Sequence, residues 1–154
     1  MAYLGTAAQS PLGGELAINT SGTSVPTYTQ IEEVKDIQWA GRINKTADAT
    51  NLESSAEEFI ATLPVSGTLD VTCNRISGAA GQVAVEAAWR TRATNVLFQL
   101  TYPKNATQTV TGDVYVFKCI VEEASPAPSF KPEDVIDYKF KLKINGLDTY
   151  TAGS

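Results

Sequence analysis

The clearest periodicity in the chain lies near its end, where Ile136, Tyr138, Phe140, Leu142 and Ile144 alternate with Asp137, Lys139, Lys141, Lys143 and Asn145. A period of two sends alternate side chains to opposite faces, so this segment predicts a strand with one face buried and one face wet. Leu69, Val71 and Cys73 alternate in the same way with Asp70, Thr72 and Asn74, and Tyr115, Phe117 and Cys119 share one side of a strand predicted over 110–121. Further strand signals fall at Glu15–Asn19, 28–39 and 96–102, the first two being separated by the turn-rich segment 20–26. Within 28–39 the apolar face switches around Ile31 and Val34, which predicts a bulge. Asn145-Gly146 is a type I′ turn signal leading into a short returning strand, Leu147–Thr151. Helical spacing occurs once, over 79–94, where Val83, Ala87 and Arg90 form one row and Val85 and Trp89 an adjacent one.

Two stretches have no period. Residues 1–14, which include Tyr3 and Leu4, are small and Gly-rich and predict a flexible N-terminal arm, followed by one domain over 15–154. From Ala40 to Ser55 nothing repeats; a structureless loop of that length inside a compact domain is usually functional. The Pro-rich piece 125–132 separates the last two strand groups. Six or seven strands with one helix and short connections predict a mainly β fold, an antiparallel β-sandwich or barrel with one flanking helix.

Charge narrows the function. Seventeen carboxylates against 12 basic side chains give a formal net charge of −5, opposite in sign to a surface that grips phosphates. No apolar run approaches the roughly 18 residues a membrane helix needs, and Met1–Thr6 lacks the basic start and apolar core of a signal peptide, which points to folding in the cytosol. Cys73 and Cys119 are then expected as buried thiols, not a bridge.

Candidate chemistry is sparse. The chain has no histidine, which removes the usual general base and neutral metal ligand. The acidic pairs Glu32-Glu33, Glu57-Glu58, Glu122-Glu123 and Glu133-Asp134 are sequence neighbours, and neighbours on a strand point apart. Asp48, Asn51 and Glu53 have oxygen-ligand spacing for calcium, without the glycine and carboxylate density of an EF-hand loop. Lys139, Lys141 and Lys143 form a cationic stripe that reads first as a solvated strand face, with carboxylates expected nearby to offset it. Trp39 and Trp89 read first as core anchors, and otherwise as stacking platforms for sugars. No cofactor or metal and no enzymatic activity are expected.

Several segments in order resemble the tail tube proteins, or major tail proteins, of long-tailed bacteriophages. They are Ile31–Ile37, the stretch Asp48–Phe59, Phe98–Pro103, Val116–Ser125 and the terminal 135–146, so the likeness runs from about Gly14 to Gly146. The resemblance implies a tail-tube-like sandwich that completes a β-barrel tube on oligomerisation, through hexameric rings stacked head to tail into a conduit for DNA. It implies a ring-stacking loop carrying Gly41, Arg42, Asn44, Lys45, Asp48, Asn51, Leu52, Glu53, Glu57, Glu58 and Phe59, helped by the arm with Tyr3 and Leu4. It also implies other copies of the chain, a tape-measure protein and tail initiator and terminator proteins as partners, transient non-specific passage of DNA, no membrane binding, and a place in the virion tail after assembly in the host cytoplasm. The same fold serves the tube of contractile secretion machines. A β-sandwich carbohydrate-binding or surface module is the reading from a different class.

Overall fold

A computed structural model describes residues 13–154. Ten strands and one helix follow in the order β1 (Glu15–Asn19), β2 (Tyr28–Gln30), β3 (Val34–Ala40), β4 (Ile43–Asp48), β5 (Phe59–Val65), β6 (Thr68–Asn74), α1 (Ala80–Thr91), β7 (Val96–Thr101), β8 (Val114–Ser125), β9 (Asp137–Ile144) and β10 (Thr149–Thr151). The fold is mainly β and its pairings are antiparallel, as the alternation predicts. One large sheet runs β2-β1-β7-β8-β9-β6-β3, with β10 on β8, and β4 pairs only with β5.

The strand order forces the large sheet to roll. β2 and β3 are its opposite edges, and six interstrand steps of about 4.8 Å would set them about 29 Å apart in a flat sheet. Yet only Ile31, Glu32 and Glu33 join them, a link that reaches at most about 14 Å. The two edges therefore curl toward each other around the core, without closing a barrel among the described residues. Backbone hydrogen bonds hold the link at both ends, Ile31 N–H donating to Leu16 of β1 (2.8 Å) and Glu33 accepting from Asn74 of β6 (2.9 Å). Glu33 turns the chain with a left-handed φ of 57°. Ring contacts report the same curl: Trp39 on edge strand β3 lies 5.4 Å from Phe117 on β8, three strands away in the sheet.

The expected bulge within 28–39 is thus a break, because the segment supplies both edges of the sheet. A smaller register shift follows between Val34 and Asp36. The sequence reading also misplaced the last strand. Of the Asn145-Gly146 pair only Gly146 has positive φ, whereas a type I′ turn needs it at both positions. The chain does not reverse there: β9 pairs along β8 as far as Cys119 and β10 resumes at Val116, prolonging the line of β9 along the same strand.

The concave face of the roll holds Leu16, Ile18, Phe98, Phe117, Leu69, Val71, Tyr138, Phe140 and Leu142, and α1 covers it with Val85, Ala84 and Ala88. The helix lies close to the sheet. A Cβ at Gly81 would stand 2.3 Å from the Gln30 carbonyl oxygen, so its first turn needs glycine there. That shallow seat of small residues does not cover an indole, and Trp89 is 42% exposed instead of serving as the expected core anchor. Beside Gly81, the fully buried Gln82 ties the seam together: its Nε2 donates to Asn74 O (2.7 Å) and Glu32 O (3.2 Å), and its Oε1 accepts from Ile76 N–H (3.0 Å).

Two measurements test this core. Gln82→Leu keeps the volume and deprives three part-buried backbone groups of their partner, so it should lower unfolding free energy by about 1–3 kcal/mol, read from denaturant midpoints; a loss under about 0.5 kcal/mol would refute the seam role. Burial pushes the Cys73 thiol up to about 11 and raises the Cys119 thiol further, while burial and the adjacent Glu86 carboxylate raise the Tyr138 phenol. The folded state then keeps protons that the unfolded chain gives up near pH 9 and 10. Stability should be full below pH 9 and fall as pH climbs toward 11; a urea midpoint that holds constant over that window contradicts it.

Candidate assembly surface

The segment read as a structureless loop is a hairpin. β4 and β5 pair from Ile43↔Val65 to Asp48↔Phe59, with one extra residue on β5 opposite Lys45. Alternation was absent because neither face is covered: every residue of β4 and β5 except Ala47 and Val65 is exposed, including Ile43, Phe59, Ile60 and Leu63. Register puts Ile43, Val65 and Ile60 on one face and Phe59 and Pro64 on the other, so both sides carry bare apolar groups. The two strands pack chiefly on each other, with no extensive contact to another strand or to the helix among the described residues. A lone two-stranded ribbon is marginal in water, and an exposed apolar edge invites pairing with another chain.

The predicted loop residues spread along this arm. Gly41 opens it with φ 84°, Asn44 and Lys45 sit in β4, and Phe59 begins β5. Asp48 and Asn51 use their side-chain oxygens locally, accepting from Thr50 N–H (2.8 Å) and Glu53 N–H (2.9 Å); the Thr50 side chain first, and its backbone N–H after it, hold the Asp48 carboxyl below its ordinary range. Oxygens committed to the backbone in this way shape a turn and do not converge on a cation. Leu52 stands fully exposed at the tip beside Glu53, and Glu57 and Glu58 lead back into β5. Glu58 closes the turn by accepting from Ala49 N–H (2.8 Å) and donating its own N–H to Thr50 Oγ1 (2.9 Å). Between Ile43 and Val65 four carboxylates face one lysine, a net −3 of the chain's −5. Tyr3 and Leu4 lie outside the described residues.

Sequence reasoning missed the returning half of the arm. The run Phe59-Ile60-Ala61-Thr62-Leu63-Pro64-Val65 was its signal: a continuous apolar-rich stretch containing proline suits a strand whose edge stays unpaired. It also missed the base of the arm. There Arg42 Nη2 meets both carboxylate oxygens of Asp148 at 3.1 and 3.2 Å, and its guanidinium lies over the Trp39 and Tyr115 rings. Trp39 packs on Tyr115 and Phe117 and donates its indole N–H to Ser66 O at 2.6 Å. It is an anchor at the root of the arm, covered by Arg42, and not an open platform for a sugar.

Carboxylates flank the lysine stripe at one of its three positions. On the convex face of the sheet Lys141 stands between Asp70 of β6 and Glu123 of β8, and Lys139 between Thr72 and Ser125. Lys35 pairs with Asp137 at 2.6 Å. Four carboxylates, Asp36, Asp70, Glu123 and Asp137, thus share this face with four lysines, 35, 139, 141 and 143.

No family model and no curated protein match the sequence. Solved structures do match the fold. A chain in the tail of an empty gene transfer agent particle, refined with C6 symmetry, aligns over 94% of this chain and all of its own at 14% identity and TM-score 0.70. A chain of the anti-feeding prophage baseplate, 6-fold symmetrised, aligns over 97% of this chain and 98% of its own at 9% identity and TM-score 0.68. The SPP1 tail tube protein aligns over 92% of this chain and 77% of its own at 15% identity and TM-score 0.64. The fold is therefore that of structural components of phage-type tails and contractile injection particles. Within that group it is the tail tube fold.

Proposed function

We propose that the chain is the structural subunit of a virion tail tube: it forms hexameric rings that stack head to tail, with the arm from Gly41 to Val65 and the N-terminal arm bridging one ring to the next, around a channel that passes DNA. The observation that carries this reading is the uncovered arm, apolar on both faces and set on a body with the tail tube fold. No described residue covers its exposed groups, a further copy docking there would, and a head-to-tail contact repeats without end unless its rotation closes. Sixfold symmetry of the matched particles supports a ring of six. The role needs no cofactor and no catalytic step. Its partners are further copies, a tape-measure protein and the initiator and terminator of the tail, assembled in the host cytoplasm and ending in the virion.

The convex face suits passage of DNA or contact with neighbours equally, since carboxylates interspersed among its lysines weaken any cationic belt. The likeness to a chain of the anti-feeding prophage favours one second reading, a tube inside a contractile injection machine. Co-purification with a sheath protein separates the two.

Electron microscopy of the purified protein, alone and with tail initiation proteins, should show tubes of sixfold symmetry; persistent monomers under both conditions refute the proposal. Replacing the tip, residues 49–58, by a two-residue Asn-Gly turn should leave the thermal midpoint within about 3 °C, because an exposed turn holds little of the folding free energy, and should abolish tubes. Ile60→Asp in β5 should do the same; tubes formed by either variant would remove the arm from assembly.

A further inference from the structure

The arm leaves the body between two glycines. Gly41 and Gly67 both have φ of 84°, and they lie back to back: a Cβ on Gly67 would fall 2.0 Å from the Ala40 carbonyl oxygen, and one on Gly41 would touch the Gly67 Cα at 3.4 Å. Paired glycines at the two roots of a ribbon form a soft joint, free of the Cβ that restrains other residues. Across this joint lies the ion pair of Arg42 with Asp148. Arg42 belongs to the arm side and is half exposed, whereas the Asp148 side chain is 2% exposed and belongs to the loop between β9 and β10. Ser66, on the other root, reinforces it: its Oγ lies 2.9 Å from Gly146 O and 3.1 Å from Asp148 Oδ1 and accepts from Asp148 N–H at 3.2 Å. Arg42 also rests on Trp39 and Tyr115, so one guanidinium joins the arm to a buried carboxylate and to the aromatic end of the core.

From this geometry we infer that Arg42 and Asp148 form a clasp that fixes the pose of the arm on its glycine joint before any partner arrives. A buried carboxylate without its cation is strongly unfavourable, which holds the clasp shut in the free subunit. The ordering cost of the arm is met during folding, and docking then proceeds from a prepared geometry. The strands of the arm gain little such support from packing, because they make no extensive contact with another strand or the helix among the described residues.

The test reads the pose directly. Cys73 and Cys119 are buried, so exposed engineered cysteines at Glu53→Cys on the tip and Thr91→Cys on the helix end accept spin labels selectively. In the free subunit, below the onset of assembly, the tip-to-body distance distribution should be narrow. Arg42→Ala should at least double its width while near-ultraviolet circular dichroism of the core stays unchanged. Asp148→Asn, which keeps shape and the Ser66 contact and removes only the charge, should broaden it as well and guards against a fold defect in the first variant. Equal widths in the parent and both variants overturn the clasp. The consequence for polymerisation rests on the tube reading: if the competent pose falls to about a tenth of the population, the onset concentration rises roughly tenfold. A parent subunit with a narrow distribution that never forms tubes refutes the tube reading and supports the clasp, and broad distributions in a subunit that does form tubes refute the clasp alone.

Discussion

Three residues set the shape of this molecule. Because Ile31, Glu32 and Glu33 are all that connects the two edges of a seven-strand path, the sheet has no flat option. Its curl gives one enclosed face, covered by α1 over β1, β2 and β8 and by the facing strands elsewhere, and one convex face. The curl also brings β3 over β8, so that Trp39 reaches Phe117 and the arm that follows β3 starts from the rigid aromatic end of the core. Gln82 and the two backbone bonds of the link hold that geometry at the seam.

What the sequence revealed depended on whether the subunit itself covers a face. β6, β8 and β9 bury one side each, and their alternation named the inward residues Leu69, Val71, Cys73, Phe117, Cys119, Tyr138, Phe140, Leu142 and Ile144, while Ile136, read in the same row, precedes β9 and is exposed. The arm buries neither side, so its strands carry no period and passed for a loop. Residues 28–39 read as one bent strand because periodicity records burial and not which neighbour a strand pairs with. Leu147–Thr151 was misread for a related reason: Asn-Gly reports local turn preference, and pairing with β8 overrode it.

The clasp was invisible for another reason. Arg42 and Asp148 are 106 residues apart, and each looks like an ordinary surface charge until the roll brings the β9–β10 loop against the root of the arm. The same holds for the convex face, where Lys141 looks like part of a cationic stripe along one strand until Asp70 and Glu123 take their places on either side of it.

The uneven placement of charge has a consequence for misassembly. The stretch from Ile43 to Val65 holds net −3 of the chain's −5. Two loose subunits whose bare apolar arms met tip to tip would bring Glu53, Glu57 and Glu58 of each into mutual repulsion over a Debye length of about 8 Å at physiological salt. An arm meeting a body surface encounters no such barrier. The ribbon that is most prone to stick is thereby self-avoiding at its tip, and its acidity keeps a greasy element away from its own kind.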